Sequence, residues 1–408
     1  MKTALDIWPA LPIVIDARDD ADGDVIDALE ARDRIVGISL WGLTQSSLKK
    51  CLGMMQQLFP VLTSLNLSTE HGKVTYAHVN TDAFLGGLGG SIPRLKRLSL
   101  YGIQFSALST LLSSASELVD LHLTDFPVTG RGHISPEAMT ICLSSLTRLR
   151  SLSIYFKRRP GFTYPQHPPP SSLSPTVFPA LTDLSLGGPH EYLEDLLTRI
   201  DTPLLDHGQL DFYNAPNFHH PQISQFIHRT GMFNLPSKLE VYIRKGVYVK
   251  LSSSIGPEKR FDLGFTGSDL SLYTEVKLTE HICTRYPPLL SHIEHLQLGG
   301  DEVEYRYYPL NAPWLELLQP FTAVKTLHLS GTLIMPCVSL ILGVLEEEED
   351  ATEVLPALRT LVLEWAGKEV SEAAGLVKPF IVARKHSERP VVLERDSWDG
   401  DSDSSDIK

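Results

Sequence analysis

The chain has 408 residues, 42% of them hydrophobic, and a formal net charge of −13 at pH 7. That apolar share is ample for a core and excludes disorder throughout. The acidic balance argues against nucleic acid or an anionic membrane as the main partner, because both require a basic face.

Four scattered cysteines (Cys51, Cys142, Cys283, Cys337) form no Cys-x-x-Cys pair, which favours a reducing compartment over a disulfide framework. Neither a signal peptide nor an apolar run of about 18 residues is visible, so a soluble intracellular protein, cytoplasmic or nuclear, is expected.

Residues 1–34 read as an N-terminal cap. From Ile35 a phrase of the form Leu-x-x-Leu-x-Leu recurs. In chain order its copies are Ile35-Ile38-Leu40, Leu62-Leu65-Leu67, Leu95-Leu98-Leu100, Leu118-Leu121-Leu123, Leu149-Leu152-Ile154 and Leu181-Leu184-Leu186. Leu205-Gly208-Leu210 follows with Gly in the middle, then Ile293-Leu296-Leu298, Val324-Leu327-Leu329 and Leu358-Leu361-Leu363. Apart from a long gap after Leu205, the first anchors lie 23 to 34 residues apart, close to the period of a leucine-rich repeat. The alternation puts both later leucines on one face of a short strand. A lone strand cannot bury that face, so neighbouring units must stack.

Between strands the period switches to three and four. Leu48, Cys51, Leu52, Met55, Leu58 and Phe59 form one helical stripe within 46–59. Ser135-Pro136-Glu137 is a helix start, with a capping Ser, Pro in the first turn and an acid at the positive dipole end. Tyr192, Leu193, Leu196, Leu197 and Ile200 form another stripe, as do Trp314, Leu315, Leu317 and Leu318. Val370, Leu376, Val377, Phe380 and Ile381 close the series. The expected fold is α/β: a leucine-rich-repeat solenoid with a curved parallel sheet and helices on its convex side. It spans 35–385 in about 11–12 irregular units, and an acidic tail, 386–408, is expected to be disordered.

Three segments break the rhythm. Seven prolines within 158–179 make that stretch a loop. Glu346 to Asp350 is an acidic run that reads as a solvated helix end or loop. From about 236 to 290 the phrase fades. Leu239-Val241-Ile243 and Phe261-Leu263-Phe265 alternate as strands, and two degenerate units are expected there.

Several segments resemble the leucine-rich region of fungal F-box proteins, a group expanded in mushroom-forming fungi. They are LDIWPALPIVID (Leu5–Asp16), LFPVLTSLNL (Leu58–Leu67), DAFLGG (Asp82–Gly87), ISPEAM (Ile134–Met139), EYLEDLLTRIDTPLLD (Glu191–Asp206), WLELLQPFTAVKTLHLS (Trp314–Ser330) and EVLPALRTLVLE (Glu353–Glu364). The resemblance runs from about residue 5 to 395. It implies a substrate receptor of a cullin-RING ubiquitin ligase, in which an F-box docks to the ligase adaptor and the repeats hold a target protein. The pattern departs at the N-terminus. Met1 to Arg34 cannot form the compact helical F-box, so either the gene model is truncated or the chain is a paralogue without it. The chain alone is then not expected to bind the adaptor.

In each phrase the third, fifth and seventh positions face away from the leucines. Candidate protein-binding residues there are Trp41, Arg97, Tyr101, Asp120, His122, Tyr155, His207, His295 and His328. Trp41, Tyr101 and Tyr155 share the seventh position, where they either anchor a partner or pack against neighbouring strands. The target itself is unknown.

Chemistry is sparse. Gly86-Gly87-Leu88-Gly89-Gly90 lacks the Gly-Lys-Ser/Thr that cradles phosphates, and His219, His220 and His228 have no carboxylate or Cys nearby to complete a metal set. No Gly-x-Ser-x-Gly, His-Glu-x-x-His or dinucleotide fingerprint occurs. The expectation is a non-enzyme with no cofactor and no metal. The alternative is a repeat protein that regulates an enzyme, of the GTPase-activating or inhibitor type. Its units usually carry an Asn or Cys ladder at the ninth position. Here that position holds Leu43, Glu70, Ile103, Phe126, Lys157, Pro189 and Thr332.

Overall fold

The computed structural model describes residues 11–18, 23–55, 57–69, 92–103, 108, 111–112, 115–126, 133–158, 174–213, 221–230, 236–243, 246–253, 259–266, 277, 279, 290–300, 317–331, 354–364, 368–386 and 388–396. The protein is α/β, its strands are mostly parallel, and it forms two compact units. The first is Met1–Asn214 with His220–Met232, and the second is Ala215–His219 with Phe233–Lys408.

The strands of the first unit are β1 (Ile13–Arg18), β2 (Ile35–Leu43), β3 (Ser64–Thr69), β4 (Arg97–Tyr101), β5 (Asp120–Phe126), β6 (Ser151–Phe156), β7 (Thr176–Val177), β8 (Asp183–Pro189), β9 (Ile200–Asp201) and β10 (His207–Tyr213). β7 and β9 form a small ladder of their own. The other strands lie side by side in chain order, every pair parallel. Their register stacks the phrase on itself. Ile38, Leu65, Leu98, Leu121, Leu152 and Leu184 form one row, and Leu40, Leu67, Leu100, Leu123, Ile154, Leu186 and Leu210 form the next. None of these side chains is more than 3% exposed. Each such burial stabilises by about 1.5–3 kcal/mol, so a slip of one residue would turn the whole row into water.

Helices follow several of these strands: α1 (Gly23–Leu29), α2 (Gln45–Met54), α3 (Pro136–Ser144), α4 (His190–Arg199) and α5 (Pro221–Arg229). Thr44 caps α2 by accepting from the Ser47 amide at 3.3 Å, and Ser135 caps α3 by accepting from the Ala138 amide at 3.2 Å. α2 ends at Met54, which leaves Leu58 off its buried stripe and 53% exposed, contrary to the expected stripe. α4 and α5 cap each other. The Glu194 carboxylate of α4 accepts from the Gln222 amide of α5 at 3.1 Å, and Arg229 of α5 donates to the Leu197 carbonyl near the end of α4 at 2.7 Å. Both bonds satisfy groups that helix ends leave without an intrahelical partner. Burial pushes the Glu194 carboxyl up to about 7, against the pull of the amide bonds.

The second unit begins differently. β11 (Lys238–Ile243), β12 (Val247–Ser252) and β13 (Arg260–Thr266) form an antiparallel meander. β11 also pairs in parallel with β14 (His295–Gly300). β15 (Thr326–Gly331), β16 (Thr360–Glu364) and β17 (Val392–Asp396) continue the series in parallel. The two expected strands form as β11 and β13, but β12 lies between them where two degenerate repeat units were expected. Only Arg244, Lys245 and Gly246 separate β11 from β12, far too few for a parallel crossover, so the chain turns back as a hairpin. Leu296, Leu327 and Leu361 again form a buried row.

Two further boundaries move. β17 lies inside the stretch expected to be a disordered tail, where it extends the parallel ladder of β16, and 397–408 lie outside the described residues. The last part of the proline-rich stretch is ordered through β7 and the buried Phe178, whereas 159–173 lie outside them. So do Gly86–Gly90, Trp314, His219, His220 and Glu346–Asp350. The helix α6 (Lys368–His386) buries Val377, Phe380 and Arg384. Arg384 lies 5.2 Å from the Phe380 ring centroid and donates to the Val354 and Leu355 carbonyls at 3.0 and 2.8 Å. Those two bonds tie the helix to the turn that precedes β16.

Candidate interaction face

The nine residues singled out from sequence all lie off the leucine rows. Trp41 is 41% exposed, Arg97, His122, His207 and His295 are exposed, and Tyr101, Asp120, Tyr155 and His328 are half-buried. Trp41, Tyr101 and Tyr155 are not neighbours. Tyr101 pairs with Ser68 and Thr124, and Tyr155 pairs with Gly187. Bulges interrupt the ladder after Leu40 and after Leu123.

The histidines are not gathered either. His122 Nε2 sits 2.7 Å from Thr124 Oγ1, and burial pulls its pKa down. His207 Nδ1 lies 3.2 Å from Asp183 Oδ1, and His328 Nε2 lies 2.7 Å from Glu364 Oε2. Among the described residues no group of three or more His, Cys, Asp or Glu could hold a metal ion. Burial pushes the Cys51 thiol up to about 11 and raises that of Cys142, so both stay protonated at neutral pH and behave as core residues.

What the structure does gather is a tyrosine–carboxylate cluster in the first unit. The Tyr155 hydroxyl lies 2.6 Å from Ser185 Oγ and donates to Asp211 Oδ2 at 3.2 Å. Gln209 donates to the same carboxylate oxygen at 2.9 Å. Burial, followed by the Asp211 charge, pushes the Tyr155 hydroxyl up to about 12, although its bond to Ser185 pulls the other way. Gly187 makes this approach possible: a Cβ there would collide with the Tyr155 ring and fall 2.7 Å from the Tyr213 hydroxyl. The Arg158 guanidinium lies over the Tyr213 ring, 4.6 Å from its centroid.

Asp125 completes the cluster. It occupies the eighth position of its phrase with φ of +56°, where Gly42, Gly102 and Gly331 take the same left-handed bend at +68°. Asp tolerates this bend better than most non-glycine residues, because its short side chain can hydrogen-bond locally; Leu355 and Glu388 also take it, with φ of +51° and +61°. Burial, followed by the Asp125 charge, raises the pKa of the Tyr101 hydroxyl.

The second unit repeats part of this arrangement. Tyr242 and Tyr248 are cross-strand partners, 38% and 39% exposed, beside Gly299 and Gly264. A Cβ at Gly299 would come within 2.9 Å of the Tyr242 ring. Below the pair, Lys238 and Lys250 grip Glu240 at 2.7 and 3.3 Å. Desolvation raises that carboxyl, but the two ammonium groups more than offset it and hold it low.

Sequence reasoning singled out neither Asp125, Arg158, Asp211 and Tyr213 nor the Tyr242–Tyr248 pair as site residues. Two signals pointed to them: an Asp where sister phrases carry Gly, and a Gly at the seventh position beside a Tyr.

No protein-family model matches the chain, and no curated protein matches it significantly. No described helix is long and apolar enough to cross a membrane.

Proposed function

We propose that the chain is a leucine-rich-repeat solenoid acting as a non-catalytic protein-binding scaffold. Its leucine-free face would receive a target protein, as in the substrate-receptor repeats of F-box proteins in cullin-RING ubiquitin ligases. The observation that carries this reading is the in-register stacking of successive phrases. In each unit it buries the leucines and leaves a face of mostly small polar residues, punctuated by part-exposed Trp41, Tyr101 and Tyr155 in the first and by Tyr242 and Tyr248 in the second. Aromatics in such settings are the residues that anchor partners. The ninth positions Leu43, Ile103 and Phe126 are buried and apolar in place of an Asn or Cys ladder, which favours the receptor-like reading over an enzyme regulator. Any ligase connection would run through an F-box in the full-length product.

The test is affinity capture with quantitative mass spectrometry, comparing the chain with its Ser99→Arg variant. Ser99 sits mid-face on β4, so the long cation blocks docking while the leucine rows stay intact. The reading expects a partner that the variant loses. Equal recovery of every partner by both proteins would remove the face from recognition.

A further inference from the structure

We infer that the tyrosine–carboxylate cluster of the first unit is an arginine subsite, at which Arg158 of the chain itself stands in for an arginine of the target. The inference rests on the target-binding reading and narrows its partner to a segment carrying a guanidinium.

Three observations converge. A guanidinium already lies over the Tyr213 ring, 4.6 Å from its centroid. The Asp211 carboxylate, two residues before Tyr213 on β10, is held in place by Tyr155 and Gln209. Gly187, with no Cβ, lets the Tyr155 ring and the Tyr213 hydroxyl close over one point of the sheet. Flat aromatic surface beside oriented carboxylates suits a planar, five-donor cation better than a compact ammonium.

Arg158 is exposed and can be displaced. An exposed cation–π contact favours the docked form by only about two- to fivefold. An incoming arginine that adds a paired bond to a carboxylate gains more than that. The net charge of −13 steers a basic segment towards the chain. Asp125 keeps a carboxylate at a bend where its counterparts use Gly, which such a subsite explains.

The full-length chain, labelled on its tyrosine rings, is titrated with N-acetyl-arginine amide and followed by NMR. In the Arg158→Ala protein the Tyr155 and Tyr213 ring signals should shift and saturate. The unsubstituted chain should need about three- to sixfold more probe, because Arg158 competes. Adding Asp211→Asn to Arg158→Ala should abolish most of the response, and N-acetyl-alanine amide should produce none. If the alanine protein melts early, Arg158→Gln, which keeps the side-chain stem, gives the same readout. Unmoved ring signals in a folded Arg158 variant, or equal shifts with the alanine probe, would overturn the subsite. A captured partner that Ser99→Arg still loses would then leave the broader reading standing. Saturating arginine shifts without any such partner would keep the subsite and sink the broader reading.

Discussion

The two units use the same alternating strands and assemble them differently. In the first, β1 to β6, β8 and β10 run parallel in chain order, and long connections, several of them helical, return the chain to the same end. In the second, β11 to β13 turn back on one another before the parallel series resumes at β14. The strands themselves are alike: Leu239, Val241 and Ile243 are buried on alternate positions just as Leu121 and Leu123 are. Connection length makes the difference. A three-residue link permits only a hairpin, whereas a parallel return needs about a dozen residues. Strand alternation tells which side faces the core, and the connection tells which way the next strand runs.

If the leucine rows do the same work in both units, Leu184→Ala in the first and Leu327→Ala in the second should each cost about 2–5 kcal/mol in denaturant unfolding. A cost confined to one unit would break the equivalence.

The glycine floors sharpen the comparison. Gly187→Ala should destabilise by about 1–3 kcal/mol through overpacking against Tyr155 and Tyr213. Gly53→Ala, in α2 with no atom within 4 Å of the added carbon, should stabilise by up to about 1 kcal/mol. Melting curves of the two variants shifted in the same direction would contradict the close approach at Gly187.

A smaller effect belongs to the first unit alone. The folded Glu194 carboxyl is raised from 4.5 to about 7 by burial. Between those values the folded state holds a proton that the unfolded chain has released. Its contribution to stability is therefore complete below about 4.5 and lost as pH rises through about 7. Glu194→Gln should remove that pH dependence and melt higher than the parent above neutrality. Parallel stability–pH curves for parent and variant would rule this out.

Much of the fold was legible from the leucine phrase, because strand period and burial are local properties. Every described second and third anchor of the phrase is buried, Gly208 included. The β12 hairpin was not foreseen, since Val247, Val249 and Leu251 carry no phrase of their own. β17 was hidden by the acidic composition around it, although its backbone finds a partner in β16. On the face, the phrase placed Tyr101 and Tyr155 away from the core. The bond from Tyr155 to Asp211 joins residues 56 apart, beside a glycine whose effect appears only once strands are in register. The histidines lie off the leucine rows but do not converge: β6 and β8 separate His122 from His207 in the first unit, and in the second His295 pairs with Thr326 while His328 pairs with Gln297.

The most direct measurement pairs stability with affinity for one exposed aromatic in each unit. Trp41→Ala and Tyr242→Ala are compared with the parent chain for melting temperature and for affinity towards the captured partner. A docking face predicts a loss of about 2 kcal/mol or more of binding free energy for at least one variant, with melting temperatures essentially unchanged. Lower melting temperatures with unaltered affinity for both would assign these rings to packing and contradict the face as the site of recognition.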